Sequence, residues 1–339
     1  MGAIFRGGYD SFAPHLVLVD TEGDSTGGVG DDEGVPVIAA TEFESHRRHL
    51  FGVAYRMLGS AADAEDAVQE TWLRLRRGDQ AEILDLRAWL TTVVSRICLD
   101  QLRSARVRRE AYVGPWLPEP IVTAAPDDGL HPVGGPDPAS AIELTESVRM
   151  ALLVVLEELS PEQRVAFVLH DIFTVPYDNV AETLGCSVPA ARQLASRARR
   201  IVADAKPPER APQHQQRRVA EEFLRACATG DLRTLTELLH PDVIAHGDGG
   251  GLAPAGRRPV VGAEKVARLL VGLFKKYTEG ATIKPIGVNG DLGMLVFGPS
   301  VPTDVTTFAL DESGRIIGIF NQVNPNKLRG AGVVEQLRG

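Results

Sequence analysis

The 339-residue chain has little cysteine: Cys98, Cys186 and Cys227 only, with no CxxC spacing. That excludes a disulfide framework, and the three thiols are expected to be reduced and structural. Apolar runs are also short. None reaches the roughly 18 residues that a bilayer-spanning helix needs, and the start of the chain lacks a basic stretch followed by an apolar one. Neither a membrane anchor nor a secretory signal is expected, and the reading is a cytoplasmic protein. No internal repeat is visible. His46 and His49 stand three apart on a helical pattern without a neighbouring cysteine or carboxylate pair, so they read as solvated, and no metal or cofactor is expected.

An overall basic charge is missing too, since the formal net charge is −9. Its distribution matters more than its total. Residues 1–40 hold seven acids against one arginine and are rich in glycine, which reads as a disordered, solvated extension. Positive charge is concentrated in Arg103, Arg106, Arg108 and Arg109, and again between Arg192 and Arg200. An acidic total with local basic stripes suits a protein that meets DNA within a larger complex.

The length allows two or three domains. Residues 41–112 carry apolar residues at helical period, with turns at Gly59-Ser60 and near Gly78, and predict an all-helical first domain. A helix over about Asp63–Arg77, read as the third of that domain, begins with acidic residues where the macrodipole favours them, and another over Asp85–Arg109 ends in the basic run. Residues 113–139 turn to Pro, Gly and Asp and read as an extended linker. A second helical domain is expected over 140–205, a second linker over 206–216, and an α+β domain over 217–339. In that last domain helical period runs through Val219–Leu239 and stops at His240-Pro241-Asp242. Strands are expected at Val243–Ala245, Ile283–Val288, Met294–Phe297, Thr306–Ala309 and Arg315–Asn321, with a helix at Gly262–Tyr277.

The end of the second helical domain reads as a helix-turn-helix, YDNVAETLGCSVPAARQLAS from Tyr177 to Ser196. Ala181 lets two helices cross closely, Gly185 supplies a left-handed turn, and Ala191 packs the second helix back. Ser187 is a good N-cap and Pro189 lies in the first turn, where its missing N–H costs nothing. The opposite face presents Arg192, Gln193, Ser196, Arg197 and Arg200, donors suited to base edges and phosphates in a major groove. A solvated helical hairpin would carry some of these residues as well.

Several motifs in order add to this. DAEDAVQETWLRL (Asp63–Leu75), RAWLTTVVSRICLDQLRS (Arg87–Ser104) and LSPEQRVAFVLHD (Leu159–Asp171) resemble extracytoplasmic-function sigma factors of the sigma-70 family. The third domain resembles the SnoaL-like, nuclear-transport-factor-2-like fold, and a group of sigma factors with that domain fused shares WLPEP (Trp116–Pro120), HDIFTVPY (His170–Tyr177), DGGG (Asp248–Gly251) and NPNKL (Asn324–Leu328). The chain departs from the group at Leu252, where lysine is usual, and at Asn326, which replaces an acid. Ser95-Arg96 stands where most of the wider family has Arg-Asn, so minus-10 base preferences are not carried over.

The resemblance implies a sigma factor that binds the β′ and β subunits of RNA polymerase core and promoter DNA. Asp66, Gln69, Glu70 and Trp72 would dock on the core. Arg96, Asp100, Arg103, Arg106 and Arg108 would hold the melted minus-10 strand, beside Trp89, which reads more readily as core. Ser187, Arg192, Gln193, Ser196, Arg197 and Arg200 would meet the minus-35 element. Asp248, Gly249, Gly250, Gly251, Asn324, Pro325 and Lys327 would serve regulation in cis. Two readings of another class stand beside it: a ligand-sensing helix-turn-helix regulator, and an enzyme in which Asp242, His246 and Asp248 line an apolar cavity. The third domain leaves room for an unidentified small ligand.

Overall fold

The computed structural model describes residues 40–78, 80, 83–109, 112–124, 148–298 and 301–330. The acidic extension therefore lies outside the described residues except for Ala40, which opens helix α1 (Ala40–Leu58). That helix runs unbroken for 19 residues, so the acidic helix expected as third in the domain is the second, α2 (Ala61–Arg77). Ser60 caps it by accepting from the Asp63 backbone N–H at 3.2 Å, and its last turn carries Arg74, Arg76 and Arg77, where the helix dipole favours cations. Helix α3 (Leu86–Arg109) follows.

The second helical stretch contains α4 (Met150–Leu156), α5 (Pro161–Phe167), a π-helical turn at Val168–Ile172, α6 (Tyr177–Leu184) and α7 (Val188–Ala205). Ser160 and Gln163 form a reciprocal capping box at the start of α5. Gly185 takes the left-handed conformation (φ 63°) that ends α6, and the Cys186 N–H closes back on the Ala181 carbonyl at 3.0 Å. Ser187 caps α7 as its sequence position predicts.

These helices share one apolar core. Leu50, Val53 and Leu90 of the first stretch pack in the same cluster as Val165, Leu169 and Val180 of the second. His49 belongs to that contact rather than to solvent, correcting the sequence reading: its Nε2 lies 2.9 Å from Thr91 Oγ1 and its ring meets Phe173 edge-on at 5.2 Å. Burial, with Arg87 nearby, pulls its pKa down to about 4, so the imidazole is neutral.

The α+β domain begins earlier than expected, with α8 (Gln213–Thr229) starting inside the predicted second linker. The helical period through Val219–Leu239 is interrupted, because Gly230 (φ 70°) ends α8 and Asp231 caps a separate α9 (Leu232–Leu238). Strand β2 (Leu239–Asp248) already contains Pro241; its register against β7 shifts between Leu239 and Ile244, an irregularity that spares proline the missing ladder bond. Strand β3 (Val260–Val261), helix α10 (Ala263–Tyr277), strands β4 (Thr282–Val288), β5 (Asp291–Gly298), β6 (Val301–Leu310) and β7 (Ile316–Gln322), and the short α11 (Pro325–Gly330) complete the domain.

Among the described residues the sheet has seven strands. A strand from the first linker, β1 (Val122–Ala124), pairs antiparallel with β4 and gives the order β1-β4-β5-β6-β7-β2-β3, in which only β2 and β7 run parallel. The linker is thus part of the sheet. Strand alternation divides the side chains between two faces. One face, with Met294, Ile319 and Ala245, is covered by Phe223 and Cys227 of α8 and Val266 of α10. The other, with Leu295, Val305 and Phe320, packs against Leu117 of the linker and Met150 and Ala151 of α4. The fold class is two helical stretches followed by an α+β domain, as read from the sequence.

Candidate functional site

On α2, Asp66 and Gln69 are exposed, Glu70 is half-buried and pairs with Arg74 at 3.1 Å, and Leu73 adds an exposed apolar side chain one turn further. Trp72 turns inward. Its ring packs on Phe43 at 4.9 Å with Arg76 over it at 5.7 Å. The sequence reading missed Leu73, although its i+4 spacing from Gln69 places it on the same stripe.

On α3, Arg96 and Arg103 are exposed but not unpartnered. Arg96 donates to the Glu182 carbonyl and carboxylate of α6 at 2.9 and 3.2 Å, and Arg103 donates to Glu162 of α5 at 3.1 Å. Asp100 lies 3.9 Å from Arg103 and is otherwise open. Trp89 packs partly buried against the shared core. The Arg106 and Arg108 side chains lie outside the described residues.

On α7 every expected donor faces solvent: Ser187, Arg192, Gln193, Ser196, Arg197 and Arg200 are all exposed, while Ala191, Ala195 and Ala198 are buried. Arg192 lies over the Tyr177 ring at 5.4 Å, and Arg199 is tied back to Asp171 at 3.2 Å. The face is a row of exposed donors.

The expected regulatory residues converge on Asp248, which is fully buried at the end of β2. Its Oδ1 accepts from Tyr112 at 2.6 Å and the Gly250 N–H at 3.0 Å; its Oδ2 accepts from the Leu117 N–H at 2.8 Å and Lys327 Nζ at 2.7 Å. Lys327 also donates to the Leu117 carbonyl at 2.5 Å and lies over the Trp116 ring at 4.0 Å. Asn324 donates to the Tyr112 hydroxyl at 2.9 Å, and burial together with the Asp248 carboxylate pushes the Tyr112 pKa up. Gly250 (φ 58°) sits against Asn324, where a Cβ would collide with the amide, and Gly249 sits equally tightly against the Ala253 carbonyl. Gly251 faces Val113 across the same junction. Pro325 opens α11 and stays exposed. Neither departing side chain enters this cluster: Leu252 is solvent-exposed, and the Asn326 side chain accepts from Arg329, while only its backbone N–H reaches the cluster, donating to Asn324 Oδ1.

From this clamp the linker continues to the first helical stretch. Trp116 covers Gly59, and buried Glu119 caps α2 through the Ala61 N–H at 2.5 Å. The Tyr55 hydroxyl donates to the Glu119 carbonyl at 2.5 Å and accepts from Asn289 at 3.0 Å. Asn289 sits at the β4–β5 hairpin tip and also donates to the Val148 carbonyl at 2.8 Å. Buried Arg164 ties α5 to the Met57 carbonyl at 2.9 Å and to Glu157 at 2.6 Å, and burial lowers its pKa to about 9. The sequence reading did not single out Tyr112, Asn289 or Arg164, though Asn289-Gly290 is a hairpin signature.

The candidate catalytic trio is not assembled. Asp242 is exposed on β2, Asp248 is spent in the clamp, and His246, though it contributes to the cavity lining, stacks its ring on Phe320, with which it is in register. The acid that does face the cavity between sheet and helices is Asp304 of β6, which sequence reasoning missed within a strand of mixed polarity. Among the described residues no cluster of His, Cys, Asp and Glu could hold a metal, and no helix is long and apolar enough to cross a membrane.

Residues 43–108 match the sigma-70 region 2 family and residues 149–202 the sigma-70 region 4 family. The chain is 46% identical over 309 residues to the ECF RNA polymerase sigma factor SigJ of Mycobacterium tuberculosis, covering 87% of this chain and 95% of SigJ. It is 38% identical over 294 residues to the probable sigma factor SigI of the same species, covering 86% and 95%. The crystal structure of SigJ superposes with a TM-score of 0.69 at 42% identity, covering 86% of this chain and 99% of SigJ. Regions 2 and 4 occupy the two helical stretches, and the likeness to SigJ runs on through the α+β domain; the chain belongs to the extracytoplasmic-function sigma factors of RNA polymerase.

Proposed function

We propose that the chain brings RNA polymerase core to promoters in the cytoplasm, without catalysis of its own, and that its SnoaL-like domain controls this in cis. Asp66, Gln69 and Glu70 form the core-docking face with Leu73 as its exposed apolar centre and Trp72, turned inward, supporting it from beneath, a mixture in which charge orients the encounter and an apolar side chain anchors it. Arg96, Asp100, Arg103, Arg106 and Arg108 hold the melted minus-10 strand. Ser187, Arg192, Gln193, Ser196, Arg197 and Arg200 read the minus-35 major groove. The scattering of Asp242, His246 and Asp248 supports the non-enzymatic reading.

The observation that carries control in cis is the buried Asp248–Lys327 pair, which closes on Tyr112, Trp116 and Leu117 of the segment joining regions 2 and 4. A tethered domain acts at high effective concentration, so these contacts hold one arrangement of the two regions. In vitro transcription with purified core tests it, comparing the full chain, the full chain carrying Lys327→Met, a chain lacking 324–339 and a chain ending before Ala211. Deletion of the domain is expected to change transcript yield several-fold, with partial effects from the other two. Equal yields from all four would remove the regulatory reading.

A further inference from the structure

The cavity of the α+β domain holds about 390 Å³, within the range of small-molecule sites, and is walled by Leu270, Phe274, Ile283, Met294 and Ile319. Among its polar lining residues, Asp304, Thr306 and Asn321 form one hydrogen-bonded group, apart from His246, Arg258, Tyr277 and Thr278, which also line the cavity. Asp304 Oδ1 accepts from the Thr306 hydroxyl at 2.7 Å, Oδ2 accepts from Asn321 Nδ2 at 2.6 Å, and the same Nδ2 donates to Thr306 Oγ1 at 2.8 Å. Because Asn321 must present its NH2 to the carboxylate, its amide orientation is settled by the chemistry. Both of its hydrogens and the threonine hydrogen are then used within the trio. What the trio itself has left to offer is acceptor capacity only, the spare carboxylate lone pairs and Asn321 Oδ1.

We infer that this cavity binds a small, largely apolar compound through a hydroxyl that donates its hydrogen to Asp304. An acceptor-only molecule of the same shape finds no donor in the trio, and an inorganic anion meets a carboxylate. A fully apolar molecule would desolvate the remaining lone pairs of Asp304 without supplying a donor for them. The burial that favours a ligand hydroxyl also pushes the Asp304 pKa up to about 6, so the acceptor form prevails above that pH. The site is separate from the clamp, since Asp304 and Asn321 face the cavity while their neighbours Val305 and Gln322 face the linker. Binding is measured directly, so its outcome does not depend on whether the domain regulates transcription.

The test uses the full chain at about pH 8 with two probes of equal ring size, 2-naphthol and 2-methoxynaphthalene, titrated by fluorescence or calorimetry. Saturable binding of 2-naphthol is expected, at least about tenfold tighter than 2-methoxynaphthalene, the range of a hydrogen bond to a charged group. Asp304→Leu should lower 2-naphthol to the level of the methyl ether and leave the ether unchanged or improved. Equal affinities for the two probes on the wild-type chain, or no saturable binding of either, would overturn the inference even if the variant failed to fold.

Discussion

Asp248 shows how one side chain can tie three segments. It lies on β2, Lys327 on α11, and Tyr112 and Leu117 on the segment that follows α3, so loss of either charge strands the other in a buried site. Lys327→Met alone is expected to destabilise the chain by about 3–5 kcal/mol, and the double variant Asp248→Asn/Lys327→Met to recover part of that, which a denaturation double-mutant cycle measures. Gly250 is a second sensitive position. Gly250→Ala adds a Cβ at φ 58° into the Asn324 amide, with an expected cost of about 1–3 kcal/mol in the same assay. Asp304 works in the opposite sense. Its folded pKa of about 6 lies above the ordinary 3.8, so the fold binds the proton more tightly than the unfolded chain does. Wild-type stability relative to Asp304→Leu should therefore be greatest below about pH 4 and fall by about 2–3 kcal/mol as pH rises through about 6. Denaturation of both proteins across that window checks it; a flat difference would show that the acid is solvated.

At the scale of elements, α7 separates local from acquired properties. Gly185, Ser187 and Pro189 set its start through backbone geometry that needs no distant partner, and the alanines that pack it on α6 recur at helical spacing. The helix-turn-helix was accordingly legible residue by residue. Its exposed face leads to a division of labour: Arg192→Ala or Gln193→Ala should cost about 1–3 kcal/mol on matched minus-35 DNA and little on mismatched DNA, whereas Arg200→Ala should weaken both alike and reduce the salt dependence. Gel-shift or anisotropy titrations of region 4 with the two duplexes decide it, and equal losses for Arg192 and Gln193 on both would make them phosphate contacts. Elements that depend on neighbours read less well. The break at Gly230 and the entry of Pro241 into β2 both follow from pairing with β7 and packing of α9, which helical periodicity does not report.

In the whole molecule, regions 2 and 4 share a core, and Arg96 and Arg103 of region 2 are held by Glu182 and Glu162 of region 4. Two of the cations proposed to hold DNA, Arg96 and Arg103, are thus engaged within the chain. Such exposed pairs contribute roughly 0–1 kcal/mol each, so reversing both with Glu162→Arg/Glu182→Arg should shift the population toward separated regions by about fivefold rather than open the chain outright. Distance distributions between labels on α2 and α7, with and without the substitutions, measure that shift; an unchanged distribution would assign the closed state to the apolar core and the linker alone.

The amino-acid order by itself determined what short-range physics controls: the helix caps at Ser60, Ser160 and Ser187, the left-handed turn at Gly185, the donor face of α7, and the acidic stripe of α2. Motif order was enough to place the chain among sigma factors. Only the tertiary structure decided which buried acid joins which neighbour. Asp242, Asp248 and Asp304 look alike in sequence, yet one is solvated, one closes on Lys327 and the linker, and one faces an apolar cavity. Strand alternation and register, which side chains obey over long sequence separations, send Asp248 with Gln322 to one face of the sheet and Asp304 with Asn321 to the other.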